Sequence, residues 1–206
     1  MTQPALPSSR SSSRRSLALG GVVGPVGFVA AWAAGAVLSD HLSPVHDAIS
    51  RLAAIGANTR PLMSAGFVAF GLGVPIYAAA LRQVVPGPAW ITATVTGLAT
   101  IGVALTPLDH SSVVDSLHAA LAVLGYVTLA ATPLLAYRPL MRSGHRRLAR
   151  AGAIAGAISG TSLLLSSIGD WNGLFQRIGL TAGDVWLVAS AVAILSGRLT
   201  APTAAS

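Results

Sequence analysis

The chain has 206 residues, 53% of them hydrophobic and 9% charged, with a net charge of +7. A soluble domain carries charge at about a quarter of its positions, so the polar residues here are too few to cover a water-facing surface. Cys, Lys and Glu are absent, which excludes disulfides and cysteine-based zinc sites. Basic chemistry is left to Arg and His, and acidic chemistry to Asp.

Residues 1–16 are rich in Ser, Pro and Arg and read as a disordered cytoplasmic tail. Apolar runs then follow at Leu17–Leu38, Leu62–Leu81, Ala89–Thr106, Val113–Tyr137, Leu148–Ile168 and Leu174–Ser196. About 20 apolar residues cross a bilayer as a helix, and in lipid each segment must satisfy its own backbone. The expectation is therefore an all-α integral membrane protein with six transmembrane helices over 17–198 and a second cytoplasmic tail at 199–206. "SRRSLAL" at Ser13–Leu19 is similar to a twin-arginine export signal, but five further spans favour an uncleaved first helix.

Between the first two spans, "SPVHDAISRLAAIG" predicts a short interfacial helix. Ser43 would be its N-cap and Pro44 its first residue. Val45, Ile49 and Leu52 fall on one side, and His46, Asp47 and Ser50 on another. The plainer reading is an Asp47–Arg51 ion pair one helical turn apart.

Orientation follows from the arginines. Ten of the thirteen fall on one side of this scheme, and only Arg51, Arg60 and Arg177 on the other. The positive-inside rule then puts both termini in the cytoplasm of a cell-membrane protein. The basic charge is a topology signal, and the partner it implies is the lipid bilayer rather than nucleic acid. All six Asp and four of the five His lie in or near the outward connections.

"TPLDHSSVVDSLH" (Thr106–His118) supplies Asp109, Asp115 and His118. Ser112 to Asp115 has capping spacing, with Asp in the first turn of span four. That accounts for Asp115 but not for His118, which lies one turn further in on the same face. An Asp/His pair at this spacing can ligate a divalent metal, with His46, Asp115 and His118 the candidate ligands, or can orient an imidazole as a base. In span six, Arg177 and Asp184 share a face, and ionisable groups at that depth normally face a protein interior. Arg177 is expected to pair with an outer Asp. Gly152, Gly156 and Gly160, and Gly20 and Gly24, have the spacing of close helix packing, within the chain or across a homodimer seam.

"SPVHDAISRLAA", "TPLDHSSVVDSLHAALA" and "GLFQRIGLTAGDVWL" resemble the three signature regions of a bacterial family catalogued as domain of unknown function 998. The resemblance implies six helices and no settled activity. It points to Asp47, Ser50, Asp109, His118 and Arg177, with Trp186 as a packing position, and Gln176 stands where it implies an acid. A looser likeness runs to membrane hydrolases such as alkaline ceramidases, but span six has no His to match their motif.

Two functions follow as expectations. One is an intramembrane enzyme on a lipid-like or isoprenoid substrate, with His118, Asp109 and Asp47 catalytic and Arg177, Ser50 and Asp184 binding substrate. The other is a scaffold or assembly partner. A transporter would show repeated broken helices, which the two halves lack.

Overall fold

A computed structural model of the chain describes residues 9–201. Its elements are α1 (Ser9–Ala18), α2 (Gly20–Leu38), a short 3-10 helix (Ile49–Ala53), α3 (Arg60–Val84), α4 (Ala89–Leu105), α5 (Ser112–Arg142), α6 (Arg146–Leu165) and α7 (Asn172–Leu195). No strand occurs among the described residues, so the all-α class holds. Leu19 keeps helical backbone angles (φ −57°, ψ −32°), and α1 runs on into α2. Five helices are long and apolar enough to cross a membrane, and α4 is an apolar helix of 17 residues.

The boundaries differ from expectation in four places. Residues 9–16, expected in a disordered tail, lie in α1, which packs against α3 and α7. There Arg14 Nε donates to Gln83 Oε1 at 3.3 Å, and Ala18 is fully buried. The outer parts of both expected tails, residues 1–8 and 202–206, fall outside the described residues. Leu199, expected in the terminal tail, is buried and donates its N–H to the Ala193 carbonyl. Helix α5 continues past Tyr137 to Arg142, through Pro133 and Pro139. Its N-cap is Ser111 rather than Ser112, with Ser111 Oγ accepting the Val114 N–H.

Each helix from α2 onwards packs on the next, and α7 returns to α2, closing an up-and-down ring. The core is aromatic at one level (Phe28, Phe67, Phe70), with Tyr77, Leu129 and Trp186 elsewhere. Val23, Leu72, Ile76, Leu98, Val127, Ile154 and Val185 point outwards. Such an apolar exterior suits lipid and not water.

The glycines are used within the chain. A Cβ on Gly20 would collide with the Gly73 carbonyl oxygen, and one on Gly73 would lie 2.7 Å from that of Gly20. Backbone touches backbone there, as small residues allow. Gly152 makes room for the Trp186 indole, whose Nε1 donates to the Leu148 carbonyl, and Gly156 faces Leu134. Gly160 has only ordinary contact, 3.6 Å from Ala130.

These contacts predict that Gly73→Ala destabilises the chain by about 1–3 kcal/mol through overpacking against α2. Gly160→Ala should be neutral or slightly stabilising, since Ala is the better helix former. Unfolding of both variants in the same detergent provides the measurement.

Candidate functional site

The connections after α2, α4 and α6 meet at one end of the bundle, where the longest folds inwards as a cap. The expected short helix forms only in part, as the 3-10 helix Ile49–Ala53, and is not continuous from Ser43. Instead Ser43–Asp47 makes a single turn, closed by Asp47 N–H to Ser43 O and by Ser43 N–H to Asp47 Oδ2, both 2.8 Å. Ala48 is then extended (ψ 147°) before the 3-10 turn begins. That break separates His46 and Asp47 from Ser50, so the three do not share a face. Its cause is apolar: Ile49 and Leu52 are buried in the bundle, which a helix lying flat at the interface would not allow.

Helix α7 holds the cap. Leu174 N–H donates to Val45 O at 2.9 Å. Arg177 Nη1 donates to the carbonyls of Pro44 and Asp47 (2.8 Å each) and Gly173 (3.1 Å), and its guanidinium carbon lies 5.6 Å from the centre of the Trp32 ring. Gly173 is required there, because a Cβ would collide with the Asp47 carbonyl oxygen. Gln176 Oε1 accepts the Ile49 N–H at 2.6 Å, while its Nε2 donates to the Tyr126 hydroxyl. His46 Nδ1 donates to the Asp170 carbonyl at 2.6 Å.

The expected partners of Arg177 and Arg51 are corrected. Arg177 bonds to carbonyls and makes no ion pair with an Asp among the described residues; at this point the backbone supplies acceptors that no charge inventory counts. Arg51 reaches Asp109, not Asp47, with Nη1 at 2.9 and 2.8 Å from the two carboxylate oxygens. This is the one ion pair among the described residues, and both side chains are about half exposed, so it contributes at most about 1 kcal/mol. Asp109 adopts a positive φ (65°), and its N–H donates to Asp115 Oδ1 at 3.0 Å. Ile55 N–H to Leu108 O completes this corner.

His118 stands apart from the cap. The residue is 4% exposed, and Nδ1 lies 2.6 Å from the Thr106 carbonyl. A carbonyl can only accept, so Nδ1 carries the proton, and in the neutral imidazole Nε2 is a bare acceptor. Nε2 is buried with no partner among the described residues. The ring lines a cavity of about 50 Å³ with Phe28, Ser50, Thr96, Tyr126 and Gln176 among its walls. A water needs roughly 10–15 Å³ of such space, so the cavity can take a water or a small polar group.

Asp184 lies halfway along α7, and both carboxylate oxygens are buried without a partner among the described residues. It belongs to a different wall, a groove between α2 and α7 that also includes Pro25, Ala30 and Thr181. The expected metal ligands do not converge. Among the described residues no three His, Cys, Asp or Glu groups lie close enough to hold an ion. His46 turns to Asp170, Asp115 to Asp109, and His118 to Thr106. Sequence reasoning missed Tyr126 and the bridging role of Gln176; an amide in an apolar helix was the one signal for either.

A closed ring of apolar helices with a lipid-compatible exterior and polar groups tucked under one end is the build of a multi-pass membrane protein. The chain belongs to the family described as "Protein of unknown function (DUF998)", which matches residues 22–193. No curated protein and no solved structure matches it.

Arg177→Met should cost about 2–4 kcal/mol, because three carbonyls lose a charged donor. Asp109→Asn should cost less than about 1 kcal/mol. A double-mutant cycle measured by thermal unfolding should give a coupling near zero; strong coupling would mean that the two residues form an ion pair after all.

Proposed function

We propose that the chain is a six-span cell-membrane protein whose capped end binds a small, largely apolar molecule against His118. The observation that carries this is the fixed tautomer. Nδ1 is tied to Thr106, and Nε2 is left as an unpartnered acceptor on a cavity wall. Buried polar groups are normally satisfied, and a free one on a cavity wall is a candidate contact for a ligand. The chemistry open to such a group is proton abstraction from a water or hydroxyl, as in hydrolysis of a lipid-like ester or amide. On this reading His118 is the base and Ser50 a wall of the pocket. Asp47, Asp109 and Arg177 position the cap and do not contact the substrate.

The sixth span is α4, whose 17 residues rise about 25 Å against a hydrocarbon core of about 30 Å. Both termini are assigned to the cytoplasm because the arginines gather at the end opposite the cap. Since the chain has no Cys of its own, single-cysteine labelling tests this directly. The Ser143→Cys protein should be shielded from a membrane-impermeant reagent in intact cells, and the Asn58→Cys protein should react. The reverse pattern would invert the topology.

A second reading, a structural scaffold, is favoured by how fully the cap residues are engaged with one another. The two readings part at His118. His118→Leu should remain folded while binding or turnover of a neutral lipid-like probe falls at least about tenfold, the effect of losing a well-placed polar contact. Unchanged binding and turnover in a folded His118→Leu protein would favour the scaffold.

A further inference from the structure

The cavity under the cap has a second polar pole, and the direction of its hydrogen bonds can be worked out. The Ile49 N–H can only donate, so the Gln176 oxygen is the atom facing it at 2.6 Å. This fixes the amide the right way round, and Nε2 must donate to the Tyr126 hydroxyl oxygen. The hydroxyl accepts from Gln176, so its own proton needs an acceptor. Among the described residues Tyr126 makes no other hydrogen bond. Tyr126 and Gln176 line the same cavity as His118. Gln176 lies four residues into α7, and His118 and Tyr126 lie six and fourteen residues into α5, so the Tyr126 backbone sits about 12 Å further along α5 than that of His118, and the bond to Gln176 turns its hydroxyl towards the cavity.

We infer that the cavity presents a donor pole at the Tyr126–Gln176 pair and an acceptor pole at His118 Nε2, and that it takes the hydroxyl end of a neutral, apolar molecule: an alcohol. The inference rests on the binding reading above and names the ligand chemistry of that site. A hydroxyl has both a proton to give to His118 and a lone pair to accept one from the Tyr126–Gln176 pair, which matches the chemistry of the two poles. An anion would meet a bare lone pair at Nε2, and a cation would find no carboxylate among the cavity walls. Most of the rest of the wall is Phe28, Phe67, Phe70 and aliphatic side chains, which suits a hydrocarbon body; of the other hydroxyls there, Thr96 and Thr100 are bonded to main-chain carbonyls of their own helix, and Ser50 stands on the cap side. The cap backbone takes part through Ile49, so the donor pole exists only while the cap is in place.

Three probes of matched length separate the poles: 1-hexanol donates and accepts, 1-methoxypentane only accepts, and heptane does neither. Their binding to the detergent-purified full chain is measured at equal aqueous concentration by ligand-observed NMR. The wild type should prefer ether over alkane and alcohol over ether, each by roughly fivefold to tenfold, the effect of one neutral hydrogen bond. Tyr126→Phe combined with Gln176→Met should abolish the ether-over-alkane preference and keep the alcohol-over-ether one. His118→Leu should do the opposite. If the double variant does not fold, Tyr126→Phe alone should still shrink the ether preference several-fold.

Equal binding of all three probes to the wild type would overturn the two-pole assignment while leaving the cavity a binding site. So would a Tyr126→Phe protein with the full ether preference. If none of the three binds, both this inference and the binding reading fall.

Discussion

A buried guanidinium bonded to main-chain carbonyls instead of a carboxylate sets the form of the capped end. Arg177 is less than one-tenth exposed, and a charge at that depth is tolerated only where acceptors surround it. It finds them on the backbone. The carbonyls of Pro44 and Asp47 belong to a segment that is neither helix nor strand, so they lack regular partners of their own. Arg177 Nη1 supplies the loop carbonyls with a donor, while Nε is buried without a partner among the described residues. Gly173 is the geometric condition for the arrangement, since any side chain there would occupy the space of the Asp47 carbonyl.

Once the loop is drawn onto α7, its other contacts follow. Ile49 and Leu52 drop into the bundle, the Ile49 N–H meets Gln176, and Ser50 becomes part of the cavity wall. The polar residues at this end therefore divide into two groups. Arg177, Asp47, Arg51, Asp109 and Asp115 bond to each other or to the loop backbone and account for the shape of the cap. His118, and Tyr126 through Gln176, keep unsatisfied capacity and face the cavity. Asp184 fits neither group. Its carboxyl lies on the α2–α7 side, buried and without a partner among the described residues.

The apolar runs are legible in the sequence because helix length and bilayer thickness are linked by simple geometry, and their centres coincide with α2 to α7. The ends are less so. Nothing in "SSSRRS" announces a helix, since its support comes from contact with α3 and α7 rather than from propensity. The cap escapes sequence reading for a different reason. Pairing Arg177 with an Asp follows from matching side-chain charges, whereas its actual acceptors are main-chain oxygens, which every residue carries and no composition reveals. Likewise the group that orients His118 is the Thr106 carbonyl rather than Asp115, its neighbour one turn away.

The threonines of α4 explain how so small a cavity keeps its shape in a lipid-embedded bundle. The Thr96 hydroxyl lies 2.8 Å from that of Thr128 of α5, and the Thr132 hydroxyl 2.9 Å from that of Thr92, so that in each pair one hydroxyl can donate to the other across the seam. Interhelical bonds of this kind contribute only about 0.6 kcal/mol each on average, too little to hold two helices together. They are directional, however, and a slide of α4 along α5 by one residue would break both at once. The seam therefore fixes register more than strength. Thr96 and Thr100 on α4 and His118 and Tyr126 on α5 line the same cavity, so fixing the register of the two helices fixes the walls. A short helix packed between α3 and α5 can serve as a wall of a defined pocket because hydroxyl geometry adds a fixed register to its apolar packing.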